Sequence, residues 1–509
     1  MGRLRDYVRT AWIELRFLVR VGALCQAIAA QTQINSTGTT KTYLKAEYAM
    51  DIVTATENYE SWLSKQMKLD KEGMRRKHEA MASDEFSFMR ATYYRWAQLL
   101  PAECPELYGT PKLLSVGDLH VENFGTWRDA EGRLVWGVND FDEVATLPYA
   151  NDLIRLSLSA QLALKPIKRA DSIWADASAA ILVGYSDRMR RAVKDGLRKI
   201  HPIVLAETNH WLTKIAEQIV HDPKRFWSRL ESQMPETVIP IAEKSPPSWQ
   251  RILRRAVPKR SFDVVVRMRY AGLGSMGRPR YVASGQWCGS RFAREVKALA
   301  IPASKWAGAS NSKRIAYDVL LNDSIRSRDP FALAADGWIL RRLAPDCARI
   351  PFDTLPDKTE MDLFYAMGEE TANMHLASPK VAQAIVADLD SRRGDWLVEP
   401  VVAMTDALKS DFASWRAHYQ AMKPDTAVAD APKSKTASKT IAKSTVVPAP
   451  TPLPESMPQT PVVAVSAPTT VKRRTTVQPS EAGPQVPATQ KAGRAKAATV
   501  QSTSLVPKV

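Results

Sequence analysis

The chain has 509 residues, with 71 Lys and Arg against 54 Asp and Glu and a formal charge of +17, a length that suits about two to three domains with ample core. Of that excess, +7 sits between Pro424 and Val509, where 11 basic residues face 4 acidic ones, and only +10 is left on the 423 residues before it, which argues against specific nucleic-acid binding. Four scattered cysteines, Cys25, Cys104, Cys288 and Cys347, argue against a disulfide framework and a structural zinc site and suit a reducing cytoplasm.

Residues 1–45 read as an N-terminal extension. Its apolar stretch, Phe17 to Ala30, is broken by Arg20 and Gln26 and is too short for a membrane span. A short helix, or an overextended start ahead of Met50, is the expected reading, with a poor signal peptide as the alternative. Residues 46–160 hold a helical lead-in followed by the chemistry. Ala46 to Leu69 carries apolar residues at helical spacing. Lys112 to Val116 is a short apolar strand that ends at Gly117-Asp118, and Asn123 follows five residues after Asp118. A turn at Asp129-Ala130-Glu131-Gly132 then feeds the strand Arg133 to Val138, which runs into Asn139-Asp140-Phe141-Asp142-Glu143.

Loops at strand ends aim carboxylates at one point, so Asp118, Asn123 and Asp140 are expected to converge as hard oxygen groups suited to Mg²⁺. Phosphoryl transfer asks for such a set. One carboxylate, here Asp118, takes the proton of the attacking hydroxyl, while an Asn and a second Asp hold the ions that neutralise the nucleotide phosphates. His120 is a further candidate, either as a catalytic group or as a clamp on its loop. Asp142 and Glu143 read as outer partners of the metal or as surface acids. Asp152 reads as a helix N-cap.

Residues 161–261, with helical spacing from Ser172 to Ile219, are expected to form an insert on the acceptor side. Residues 262–345 supply the nucleotide-binding segment. The strand Phe262 to Met268 leads to Ala271-Gly272-Leu273-Gly274-Ser275-Met276-Gly277, a GxGxxG followed by the strand Arg280 to Ala283. Glycines let backbone N–H groups approach phosphate oxygens, and a strand after the loop fits a phosphate-covering hairpin better than a dinucleotide-binding turn. Gly272, Gly274, Ser275, Gly277 and the downstream Lys297 are the cofactor-binding candidates. Asn311 to Leu321 is an expected helix, with Asp318 as a candidate partner for Lys297, and Trp338 to Leu343 an expected strand. Arg341 and Arg342 at its end face either phosphate or solvent. Residues 346–423 are helical. From 424 to 509 there is no aromatic residue, and 13 of the 33 prolines occur there, so a disordered basic tail is expected, able to touch anionic surfaces.

Asp118 with Asn123 five residues on, followed by a hairpin and NDFDE, resembles the loop of aminoglycoside phosphotransferases and other protein-kinase-like enzymes, although Val116 stands where those enzymes usually carry His. Glu295-Val296-Lys297 is similar to their VxK strand, and Met367 to Ala377, with His375, is similar to the helix that precedes their catalytic loop. These parts stand in rotated order. The resemblance therefore implies an α+β, kinase-like two-lobed fold, circularly permuted, using ATP and Mg²⁺ to phosphorylate a hydroxyl acceptor. It also implies that Asp152 braces the catalytic loop. The phrases Phe86-Ser87-Phe88-Met89-Arg90, GDLHVENFG, NDFDE and NDLIRLSLS further resemble the bacterial family called domain of unknown function 2252. Within the same fold, AMP transfer and a non-catalytic scaffold are the rival functions. Outside it, GDLH is similar to a metallophosphoesterase signature, with His120 as a metal ligand.

Overall fold

The computed structural model describes residues 50–165, 173–196, 214, 217, 222–312, 314–350, 352, 355 and 359–422. The expected extension 1–45 and tail 424–509 lie outside them. No helix among the described residues is long and apolar enough to cross a membrane.

Four helices open the described chain: α1 (Ile52–Ser64), α2 (Lys71–Met81), α3 (Glu85–Ala91) and α4 (Tyr93–Glu103). Asp51, Asp70 and Asp84 start three of them by accepting from first-turn N–H groups, donors that a helix start leaves without partners. The helix expected over Ala46 to Leu69 is thereby shortened: it begins after the Asp51 cap, and the Asp70 cap starts a new one.

Two short antiparallel pairs follow. β1 (Lys112–Ser115) pairs with β4 (Ala145–Pro148), and β2 (Phe124–Arg128) pairs with β3 (Leu134–Val138). Asp129 closes the β2–β3 turn by accepting from the N–H groups of Glu131 and Arg133. Next come α5 (Ala150–Leu164), α6 (Ile173–Asp195), α7 (Pro223–Ser232) and α8 (Ser248–Ala256). The largest sheet is antiparallel and consists of β5 (Phe262–Met268), β6 (Arg280–Trp287), β7 (Ser290–Ala298), β8 (Leu333–Ala335) and β9 (Trp338–Leu343), in the order β5-β6-β7-β9-β8. α9 (Tyr317–Asp323) lies between β7 and β8 in sequence, and α10 (Glu360–His375), α11 (Ala382–Ser391) and α12 (Val398–Met422) end the described chain. Helices and an antiparallel sheet in separate stretches make this an α+β fold.

One large apolar core joins the helices to both short strand pairs. The five-stranded sheet is covered separately, because neighbouring residues of a strand face opposite ways. Val282 packs with Leu230 of α7 and with Met234 just after it, whereas Ala283 packs with Ile252 and Leu253 of α8. The described parts of residues 161–261 therefore pack in separate places rather than together in one insert. α6 joins the helical core, and α7 and α8 cover opposite faces of the sheet. At the other end of the fold, Leu114 N donates to Ser378 Oγ at 3.0 Å, so β1 starts beside the end of a helix that comes 264 residues later in the chain.

Candidate active site

The β2–β3 register sets Phe124 opposite Val138, so the residues just outside the pair, Asn123 and Asn139-Asp140, are neighbours by necessity. Asn139 N donates to Asn123 O at 2.8 Å. Asn123 Oδ1 accepts from His120 N at 2.6 Å, and His120 Nδ1 accepts from Glu122 N at 3.2 Å, a reciprocal cap on the turn Val121–Asn123. Burial, reinforced by Arg90, Arg155 and Arg349, holds the His120 imidazole well below its ordinary range. It is thus a neutral clamp on its loop. Asp118, His120, Asn123, Asp140 and Asp142 all line one cleft of about 1050 Å³.

Asp118 is held from behind. Arg155, fully buried in α5, donates Nε to Asp118 Oδ1 at 2.7 Å, its Nη2 also reaches that oxygen, and Nη2 donates to Met89 O at 2.9 Å. The rings of Tyr93 and Trp96 stand 5.0 and 4.9 Å from the guanidinium carbon, giving the cation π faces as well as a carboxylate. Burial nevertheless wins over the pull of Arg155 and pushes the Asp118 carboxyl up to about 6. The loop beneath is braced as the resemblance implies. Asp152 Oδ2 and Oδ1 accept from Val116 N at 2.7 Å and Gly117 N at 3.0 Å, and His375 Nε2 bonds Oδ2 at 2.9 Å. The N-cap reading of Asp152 is corrected: Tyr149 occupies that position, and α5 has no side-chain cap.

Across the cleft, the alternation of β7 turns Ala293, Glu295 and Lys297 to one face. Lys297 is fully buried, and its Nζ donates to Asp140 Oδ1 at 2.9 Å and pairs with Asp142 Oδ2. Arg341 of β9, two residues from the position paired with Lys297, donates to Asp140 Oδ1 at 3.1 Å and to Asn139 O at 2.9 Å. Burial opposes the charge on Asp140, but Lys297 and Arg341 together hold its carboxyl well below the usual range. Asp142 goes the other way, raised by burial and by the charge of Asp140. Asp318 is exposed and is not the partner of Lys297. Its helix α9 touches the site instead through Tyr317, which stacks on Phe141 at 4.1 Å.

The glycine-rich turn closes over Asp118. Gly272, with φ of 74°, opens the tight turn Leu273–Ser275, a backbone region glycine enters without steric cost. A methyl group on Gly274 would stand 3.2 Å from both Asp118 Oδ2 and Arg90 O, so the absence of a side chain lets the turn approach this closely. Gly272, Gly274 and Ser275 line the cleft. Ser275 Oγ is taken by Arg280 Nη2 at 2.7 Å, and Arg280 also pairs with Glu295 at 3.1 Å. Gly277 does not face the cleft: its carbonyl accepts from Asp70 N at 2.9 Å, and it packs on Gly73 and Met74 of α2.

The donor set fits a magnesium ion. Asp142 Oδ1 is buried with no hydrogen-bond partner, Asp140 is about a third exposed, and Asn123 Oδ1, which already accepts from His120 N, has a second lone pair to offer. No three His, Cys, Asp or Glu side chains gather as a metal cage among the described residues, and Mg²⁺ characteristically uses one or two carboxylates plus substrate phosphates rather than a protein cage. Glu143 is neither a metal partner nor a surface acid. It accepts from Arg278 at 2.7 Å and from Ala303 N at 2.6 Å inside the protein.

Sequence reasoning singled out neither Arg155 nor the role of Arg341. A signal for the first existed: an arginine inside the apolar helix text LIRLSLS must bury its charge and therefore needs a carboxylate nearby. Comparison with curated proteins and with solved structures finds no match. Residues 69–211, which carry Asp118, Asn123, Asp140, Asp152 and Arg155 but stop short of the glycine-rich turn and Lys297, match the family described as an uncharacterized protein conserved in bacteria (DUF2252).

Proposed function

We propose that this chain is an ATP- and Mg²⁺-dependent phosphotransferase of kinase-like, two-lobed and circularly permuted fold, acting on a hydroxyl of a small molecule or protein. The observation that carries the reading is the pairing of Lys297 with Asp140 from 157 residues away in sequence. In protein kinases a glycine-rich loop covers the phosphates, a lysine on the third strand pairs with them, and a carboxylate and an Asn hold the metal while another Asp receives the hydroxyl proton. Here the glycine-rich turn joins the first two strands of the sheet, Lys297 lies on the third, and Asp118 waits beneath the turn. The hydrogen bond from Leu114 to Ser378 supports the rotated order, because it puts the end of α10 where the catalytic stretch begins.

Asn123, Asp140 and Asp142 would hold Mg²⁺, which neutralises charge on the nucleotide phosphates. Ser275 N is taken by Gly272 O inside the turn, so the N–H groups of Gly272, Leu273 and Gly274 would cradle phosphate oxygens, and Lys297 and Arg341 would supply cations beside them. Arg155 fixes Asp118 through Oδ1 and leaves Oδ2 toward the cleft. Oδ2 accepts the acceptor's hydroxyl proton while the oxygen bonds to the terminal phosphorus, the bond from that phosphorus to the bridging oxygen breaks, and ADP leaves.

Identifying the nucleotide product with candidate acceptors tests the reaction class: ADP supports phosphoryl transfer, an AMP-modified acceptor points to the reversed nucleotide, and no turnover points to a scaffold. The carboxyl of Asp118, raised by burial to about 6, must be ionised to accept a proton. The kcat/KM profile is therefore expected to fall about tenfold per pH unit below about pH 6 and to level above it. A profile flat between about pH 5 and 7.5 would remove Asp118 as the base.

A further inference from the structure

In the cleft that holds Asp118, two guanidinium groups share one carboxylate. Arg90 Nη1 lies 2.6 Å from Glu122 Oε2, and Arg349 pairs with the same oxygen. All three residues line the cleft with Asp118 and His120. Two cations against one anion leave a net positive charge, and Arg90 Nε is buried with no hydrogen-bond partner. Of the other acids around the cleft, Asp140 also acts on Arg90 but is already paired with Lys297 and Arg341, and Asp84 is committed to Ser87 N at 2.8 Å and to Ser83 at 2.7 Å as the cap of α3. Asp118 itself is matched by Arg155. The reach of the pair into the site shows in its neighbours: Arg90 pulls on the Asp118 carboxyl, and both arginines help keep His120 neutral.

We infer that Arg90 and Arg349 form an anion subsite for a phosphate or carboxylate group of the acceptor, held with its hydroxyl at Asp118. The inference rests on the transferase reading for the word acceptor, and it narrows the substrate class. A polycationic amino sugar would meet two like charges here, whereas a phosphorylated or carboxylated hydroxyl compound would gain charge-assisted, fork-shaped contacts. Glu122 then serves as the internal anion that the acceptor displaces, keeping the arginines ordered in its absence.

The test uses inorganic phosphate as the probe and thermal unfolding of the full chain as the readout, with saturating Mg-ADP so that the α- and β-phosphate positions are filled; phosphate at the remaining, terminal position would respond equally in the variants below. Wild type should gain stability with phosphate under these conditions. Arg349→Gln, at a side chain 42% exposed and so tolerant of change, should weaken the apparent phosphate affinity about tenfold, the weight of one charge-assisted bond. Glu122→Gln should strengthen it several-fold by removing the competing carboxylate. Both variants should keep the wild-type shift with Mg-ADP alone. Equal phosphate responses in all three proteins would overturn the subsite. So would loss of the Mg-ADP shift in Arg349→Gln, because the pair would then hold the nucleotide's own phosphate. A wild type that ignores Mg-ADP yet responds to phosphate through Arg349 would instead sink the transferase reading and leave the anion subsite standing.

Discussion

Asp118→Asn is expected to lower turnover by about 10²–10⁴-fold, the usual worth of a positioned general base, while leaving Mg-nucleotide affinity within about threefold, well under one charge-assisted bond. The substitution keeps an oxygen for Arg155 and removes the basic oxygen that faces the cleft. It also leaves the Arg155 charge without its anion, but Met89 O and the rings of Tyr93 and Trp96 still hold the guanidinium. A loss of about 1–3 kcal/mol in stability is therefore expected and is to be measured by urea unfolding. Turnover and binding are compared at a temperature where both proteins remain folded. The pH inflection near 6 should vanish together with the activity. Full transfer by the Asn variant would dismiss Asp118 as the base, and loss of nucleotide binding in proportion to turnover would make it a binding group instead.

The β2–β3 hairpin was legible in the sequence because its cues are local. A turn led by Asp129, apolar strands on either side and polar residues at their ends determine the register, and the register alone brings Asn123 beside Asp140. Lys297 was legible for a different reason: its strand follows a glycine-rich turn, and the resemblance to kinase-like enzymes says where such a lysine points. The tertiary pairings were not legible. Asp318 lies one residue from Tyr317, and whether α9 reaches the site through a carboxylate or an aromatic ring depends on the rotation of a seven-residue helix, which sequence spacing does not fix when only Tyr317 and Leu320 are buried. The same holds for Gly277, whose φ of 88° is glycine's privilege whether the residue faces a phosphate or, as here, a neighbouring helix. Asp152 was half legible. Its place in the first turn of α5 suggested a cap, yet its oxygens face the backbone of Val116 and Gly117, which only the packing of β1 against α5 brings within reach.

Lys297→Met is expected to destabilise the protein by about 3–5 kcal/mol near pH 8, the cost of removing one member of a buried ion pair. Asp140 keeps Arg341 in this variant, so Asp142 bears most of the loss: it is buried, it faces the Asp140 charge, and its Oδ1 already lacks a partner. The sign with pH follows. In wild type, Lys297 and Arg341 hold the Asp140 carboxyl below its unfolded value, so its contribution is present at neutral pH and is lost as pH falls through the folded value. In the variant, the Asp142 carboxyl rises further above its unfolded value; its penalty grows as pH climbs through that raised value and fades on acidification as the group takes up a proton. The gap between variant and wild type should therefore narrow on acidification. Adding Asp142→Asn to Lys297→Met should recover stability that Asp142→Asn alone does not give, with a coupling of about 1–3 kcal/mol between positions that only the fold brings together. Urea unfolding of the four proteins measures it. Additive losses at these two positions would mean that the sheet and the Asp140 hairpin do not meet as described, and the permuted nucleotide cleft would fall with them.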